Sequence, residues 1–460
     1  MRLTIYKIPI APLWMMLMMP MVQAEIGNEA WVTRYNGPGD KKDNPVSLAL
    51  DHTGNAYVSG FSDSGNGNYD FATIKYDNQG NEVWIAYYDG KAQGPDWVSN
   101  SVVDQENNVV VSGSSLGEGT GLDFLTIKYD TKGLPLWVNR YDGPSHGDDR
   151  VTAMVTDMQG NVYVTGQTAT KTNHHQSVII KYGASGDFIW EINELDQCTR
   201  YTYNDLALDQ DGNLYATGKR LNQKNNYDYL TVKYDSFGQI LWRTTRDWSA
   251  TDDARWITLD SENSVYIAGS SLNKSNGSVN NQHEDVALVK YDQQGNELWS
   301  ISYNGGPRLN DVISALQVDL QGNVLLTGTT YGSTQNTSDE SDSDIFIVKY
   351  NKEGRLLWST NYSGPGNTHD IASSMSIDTS GAIYILGTEL DSKTRTSWLI
   401  TFKIDRHGHG QWVSRHEGIS ASRNSHLSID HQSNDIWIIG TDSSANNYLT
   451  IKYNQLARDD

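Results

Sequence analysis

The stretch TIKYDNQGNEVW, residues 73–84, sets a short run ending in Tyr76 against a second ending in Trp84, with Asp77 and Gly80 between them. Alternating apolar and polar residues on either side of an Asp/Asn/Gly cluster form the pattern of two strands joined by a tight turn. One copy also admits a metal loop or a sugar-stacking aromatic. Its recurrence decides between these. TIKYDTKGLPLW (126–137), IIKYGASGDFIW (179–190), TVKYDSFGQILW (231–242), LVKYDQQGNELW (288–299), IVKYNKEGRLLW (347–358) and TFKIDRHGHGQW (401–412) repeat it, always with Gly four residues before Trp. The seven tryptophans follow one another at 52–59 residues. An eighth copy, TIKYNQLARDD, begins at Thr450 without a Trp, and Trp31 stands in WVTRYNG with no copy ahead of it.

Each unit carries a second hairpin, as in SLALDHTGNAYVSG (47–60) and MVTDMQGNVYVTG (154–166). The aspartates opening these turns are Asp51, Asp104, Asp157, Asp209, Asp260, Asp319, Asp378 and Asp430. The first unit therefore reads as four strands, near 46–51, 55–61, 70–77 and 82–88. Four short strands repeating at such a period predict β-propeller blades. The expected fold is all-β: a single eight-bladed propeller over residues 25–460, with four antiparallel strands per blade. The N-terminal strand, 30–36, supplies the missing outer strand of the last blade, which closes the ring and removes its free edge.

With these motifs in hand, the units resemble the bacterial SBBP propeller repeat, typified by D..GNvYvtG followed by iKyd..G..lW. The element D-x-x-G-x-x-x-W also resembles the tryptophan-docking motif of eight-bladed quinoprotein propellers, which implies an indole packed between neighbouring blades. The resemblance spans essentially the whole chain after residue 25. The adjacent-cysteine disulfide of several quinoproteins has no counterpart here, because Cys198 is the single cysteine.

Composition narrows the function classes. The formal charge is −21, which argues against nucleic acid, whose phosphates demand basic patches. Arg2 and Lys7, the apolar run IPIAPLWMMLMMPMV and VQA ending at Ala24 read as a secretory signal over residues 1–24. The expectation is a secreted or periplasmic monomer without membrane insertion. The turns DHTGN, DMQGN, DQDGN and DLQGN invite calcium, yet only DQDGN (209–213) offers two carboxylates and an Asn. A calcium loop needs six to eight oxygens, so no cofactor is assigned.

Residues present in every unit read as mortar. Lys75, Lys128, Lys181, Lys233, Lys290, Lys349, Lys403 and Lys452 recur in all eight copies, and a cross-strand pair with the turn aspartates accounts for both sets. If exposed, such pairs contribute about 0.2–1 kcal/mol each. Function is sought on the long irregular loops of one face, such as 194–205, 272–285 and 331–344. Asp43, Asp96, Asp149, Asp252, Asp311 and Asp370 recur eight residues before the turn aspartates, with Tyr201 and Ser422 in the other two units. Their carboxylates could gather a cation or a basic side chain, or instead accept N–H bonds within their own loops. Departures from the repeat add Asp205, Arg255, Trp256 and His426 on inner strands and Trp97, Arg200, Tyr201, Tyr203 and Trp248 on loops. Aromatics and an Arg beside an acidic mouth suit a protein or glycan ligand. The expected function is a binding scaffold. The alternative is a polysaccharide lyase or glycoside hydrolase, with Asp149, Asp252, Tyr201, Tyr203, Arg255 or His146 supplying acid, base and charge neutralisation. His174, His175, His283 and His369 lack metal spacing and read as solvated.

Overall fold

Strand follows strand from Asn28 to Asn454 in the computed structural model, and no helix occurs among the described residues. These are 28–454 apart from 66, 171–174, 194–199, 249–250, 275–281, 307–309, 333–342, 366–367, 392, 419–424 and 443–445. The predicted signal, Cys198, His174, Ser422 and most of the three long loops lie outside them. The strands group into four-stranded antiparallel units in sequence order. Unit one comprises Asp43–Leu50, Ala56–Asp63, Tyr69–Tyr76 and Glu82–Tyr88, close to the predicted spans but with the inner strand starting three residues earlier. Units six and seven are joined by a single parallel bridge, Ser343 to His369. Unit eight takes its fourth strand from Asn28–Tyr35, which pairs antiparallel with Tyr448–Asn454.

Burial follows position in the unit. The second and third strands, such as Ala56–Asp63 and Tyr69–Tyr76, are buried almost throughout, whereas the outer strand alternates between exposed and half-buried residues. Strands buried on both faces need near-continuous apolar, β-branched runs, which VVVSGSSL and LDFLTIKY supply. Each core cluster draws on adjoining units: Val110 and Phe124 of unit two pack with Val162, Val164 and Ile180 of unit three.

The repeated tryptophan is the joint. Trp84 donates Nε1–H to the Thr131 carbonyl at 3.0 Å, in the outer turn of the following unit. The pattern continues through Trp137 to Ala184, Trp190 to Ser236, Trp242 to Gln293, Trp299 to Lys352 and Trp358 to Arg406. The glycine of that turn is required. Gly133 holds φ +82°, and a Cβ there would lie 2.7 Å from the Trp84 indole. Trp31 docks in the same way onto unit one, with Nε1 toward the Asn78 carbonyl and the ring against Gly80.

Five of the eight expected lysine–aspartate pairs form, buried rather than exposed, while Lys181 donates instead to the Ser236 carbonyl at 3.1 Å. Lys75–Asp51 (3.3 Å), Lys128–Asp104 (2.8 Å), Lys233–Asp209 (3.2 Å), Lys290–Asp260 (3.3 Å) and Lys349–Asp319 (2.8 Å) have side chains no more than 9% exposed. Each aspartate also accepts the N–H groups of its own turn, as Asp51 does from Thr53 and Asn55. Unit eight departs from the repeat. Its turn closes from Asp430 to Asp435, one residue longer than in unit one, and Lys452 pairs with Asp435 at 2.9 Å.

Candidate functional site

Inner strands place the predicted site residues. Each inner strand touches the next: Asp43–Leu50 with Asp96–Val103, then Arg150–Thr156, Tyr201–Leu208, Asp252–Leu259, Asn310–Val318, Thr368–Ile377 and His426–Ile429, which contacts Asp43–Leu50 again. Seven of them carry a bulge, between Pro45 and Ser47 in unit one and between Ala254 and Trp256 in unit five. The bulged residues tie adjacent units together: Ser99 Oγ donates to the Val151 carbonyl, Thr152 Oγ1 to Tyr203 and Asn204 Nδ2 to Ala254.

Asp43, Asp96, Asp149, Asp252, Asp311 and Asp370 are all 0% exposed. Five accept the N–H of a glycine six residues upstream, at 2.6–2.9 Å: Gly37, Gly90, Gly143, Gly305 and Gly364. Asp252 accepts instead from Trp248. The loop-bonding role is thus what the geometry displays, and none of the six presents a solvent-facing carboxylate. Burial pushes all six carboxyls above their ordinary range, Asp252 and Asp311 to about 6 and Asp370 to about 7.

Tyr201 and Tyr203, predicted as ligand-stacking aromatics, are corrected by the structure: both are buried in the unit-three/four core. Tyr203 shares a 2.7 Å hydrogen bond with the Tyr234 hydroxyl. Trp256 is half-buried against the core of units five and six. Trp97 stacks edge-on against Phe61 and lies beside Tyr69. Trp248 receives Arg246 over its ring, at 4.8 Å. Asp205 accepts N–H bonds from Leu206 and from Ile257 of the next unit, and burial raises its carboxyl to about 7. His426 is exposed at the start of the eighth inner strand. His146 is exposed and pairs with Asp142, and His283 lies 3.7 Å from Asp285.

The acid–base grouping of the enzymatic alternative is not assembled. Asp149 and Asp252 belong to different units, each carboxylate is engaged in its own loop, and the two tyrosines are core residues. What units four and five do bring together is an ion network that no other unit shows in this form among the described residues. Lys219 and Arg255 both approach Asp253, at 3.2 and 3.4 Å, and Arg255 approaches Glu284 at 4.0 Å. Asn204 donates to the other Asp253 oxygen. Arg255 occupies the inner-strand bulge where units two, three and six carry Ser99, Thr152 and Ser314, and its side chain is 39% exposed. Sequence reasoning singled out Arg255 but missed Lys219, Asp253 and Glu284. Superposing the units on their glycines would have shown Lys219 where unit one has Phe61 and unit two Ser114.

Comparisons with known proteins place this geometry. No family model matches the chain, so the SBBP resemblance rests on the repeat motifs alone. An uncharacterised WD repeat-containing protein of Acanthamoeba polyphaga mimivirus is 21% identical over 450 residues, covering 81% of this chain. The chain spans 31% of that protein's length. Among solved structures, Sqt1 of Chaetomium thermophilum superposes with a TM-score of 0.58 at 10% identity, over 94% of this chain and all of that one. The propeller domain of the Pyrococcus furiosus Trilobed protease reaches 0.43 at 8% identity, over 82% of this chain and 98% of that one. The fold is of the β-propeller, WD-repeat-like kind.

Proposed function

We propose that the chain is a closed eight-bladed propeller, exported with loss of residues 1–24, that acts as a monomeric binding scaffold. Closure is supported by the Trp31 docking on unit one, by the pairing of Asn28–Tyr35 with Tyr448–Asn454 and by the contact of the eighth inner strand with the first. The scaffold presents its long-loop face to a protein or glycan outside the cytoplasm. The observation that carries this reading is the partly exposed Lys219–Asp253–Arg255–Glu284 network, built around Arg255 at the inner-strand bulge where units two, three and six place Ser or Thr. Charges of both signs in a rigid setting recognise a polar surface by complementarity rather than by bulk attraction. A glycan array and a pull-down from periplasmic extract, run with wild type and a Lys219→Ala/Arg255→Ala variant, test it. Ligand capture by the wild type and its loss in a variant of unchanged melting temperature is expected. Equal capture by both proteins refutes the assignment of this face.

A further inference from the structure

The turns that lead into the inner strands carry a chemical liability. In four of them Asn or Asp stands directly before the held glycine: Asn36–Gly37, Asp89–Gly90, Asp142–Gly143 and Asn304–Gly305. Turns favour these residues because they tolerate unusual backbone conformations. The same pairs are prone to close on themselves. The glycine nitrogen loses its proton and attacks Cγ of the preceding side chain. A C–N bond forms, and ammonia leaves from Asn or water from Asp. Water then opens the five-membered imide at either carbonyl, giving Asp or its β-linked isomer, in which the main chain is one carbon longer.

A bulkier residue after the Asn or Asp would slow this step, but the packing demands glycine. A Cβ at Gly90 would lie 2.9 Å from the Ser115 Oγ, one at Gly305 2.8 Å from the Thr330 Oγ1, and Gly37 and Gly143 are tighter still against Ser62 and Thr168. Each of the four glycine N–H groups is instead occupied. Gly37 donates to Asp43 (2.7 Å), Gly90 to Asp96 (2.9 Å), Gly143 to Asp149 (2.6 Å) and Gly305 to Asp311 (2.7 Å), and all four acceptors are wholly buried.

We propose that Asp43, Asp96, Asp149 and Asp311 guard these four bonds against imide closure. Closure requires the glycine peptide to turn its nitrogen onto Cγ, and that motion breaks the bond to the carboxylate. It also requires the nitrogen to give up its proton, and a carboxylate alongside disfavours a second negative charge. A hydrogen bond to a charged partner, when it must be broken first, slows the step by about 10–100-fold. The side chains under threat are tethered as well: Asn36 Nδ2 donates to Asp40 at 2.7 Å, and Asn304 Oδ1 accepts the Gly306 N–H at 2.9 Å. Unit seven separates the hold from the guard. Asp370 holds Gly364 at 2.6 Å, but the residue before it is Ser363, which has no side-chain carbonyl to attack. The hold belongs to the turn, and it protects wherever Asn or Asp precedes the glycine. This role requires no ligand.

The test follows Asn36 and Asn304 by peptide mapping of the folded full-length protein kept at pH 8, where the Asp311 carboxyl, raised by burial to about 6, is ionised. Deamidation adds about one dalton and splits the product into Asp and isoaspartyl peptides. Both bonds should react at least about tenfold more slowly than in synthetic peptides of the same sequence. Asp43→Ala should speed the loss of Asn36 by about 10–100-fold and leave Asn304 at the wild-type rate, and Asp311→Ala should do the reverse. Asp43→Asn, which keeps the shape and a neutral acceptor, should fall between wild type and Asp43→Ala. Ser62→Ala, which loosens the packing against Gly37 but keeps the carboxylate, should match wild type. An Asn36 rate that Asp43→Ala leaves unchanged overturns the proposal. A lowered rate does so too, because the carboxylate would then be drawing the proton off and promoting closure. So does an equal rise at both asparagines in Asp43→Asn, or a rise in Ser62→Ala as large as in Asp43→Ala.

Discussion

Replacing Asp370 by Asn should stabilise the protein most at pH 8, by less than half as much at pH 5, and hardly at all near pH 4. Asp370 is 0% exposed, accepts the Gly364 N–H at 2.6 Å and lies near Glu389. Burial, opposed by the glycine bond and reinforced by Glu389, raises its carboxyl from an ordinary 3.8 to about 7. The folded state therefore keeps this proton between pH 4 and 7 while the unfolded chain has lost it. Folded protein binds more protons over that window, so this group's contribution to stability falls as pH rises through it. About three pH units at 1.36 kcal/mol each set a ceiling of about 4 kcal/mol above pH 8. Structural relaxation around the ionised group makes a gain of about 1–3 kcal/mol the working expectation. Asn keeps the acceptor for Gly364 and never ionises. Urea unfolding of wild type and variant at pH 5, 6, 7 and 8 measures the difference, which should grow with pH and level off above 7. A variant less stable at pH 8, or a difference that does not change with pH, refutes the reasoning.

The buried lysine pairs make a second prediction: Lys128→Met strands Asp104 and should cost about 3–5 kcal/mol, and adding Asp104→Asn should recover part of it in the same assay. Gly133→Ala forces a side chain into φ +82° and against the Trp84 indole, so thermal unfolding should show a loss of at least about 1 kcal/mol. Trp31→Ala should lower the melting temperature as much as Trp84→Ala if the last unit is locked onto the first; a much smaller effect would mean an open ring.

How much of this was legible depended on repetition. The strand pattern, the Trp–Gly joint and the Lys–Asp pairs were readable because each was written seven or eight times, and only a structural role needs that many copies. Burial was not readable. Asp43 and its counterparts sit in polar loop sequence, yet the next strand and the glycine turn cover them completely. Tyr201 and Tyr203 looked like loop aromatics because the unit-four sequence loses its usual glycine signal there, whereas the inner strand already begins at Tyr201 and turns both rings into the core. Lys452 was assigned to Asp430 by counting, and one additional turn residue moved the partner to Asp435.

The pairing of Asn28–Tyr35 with Tyr448–Asn454 also has a consequence in time. Trp31 and its partner Lys452 are roughly 420 residues apart, which at about 5–20 residues per second separates their synthesis by about 20–80 s. The first strand made is the last to find its neighbour. Until then unit eight lacks its outer strand, so the segment Asn28–Tyr35 must wait unpaired while the units between are made. Assembly of such a chain is paced by its slowest, most distant contact, and the Trp31 joint is where a kinetic defect would first be seen.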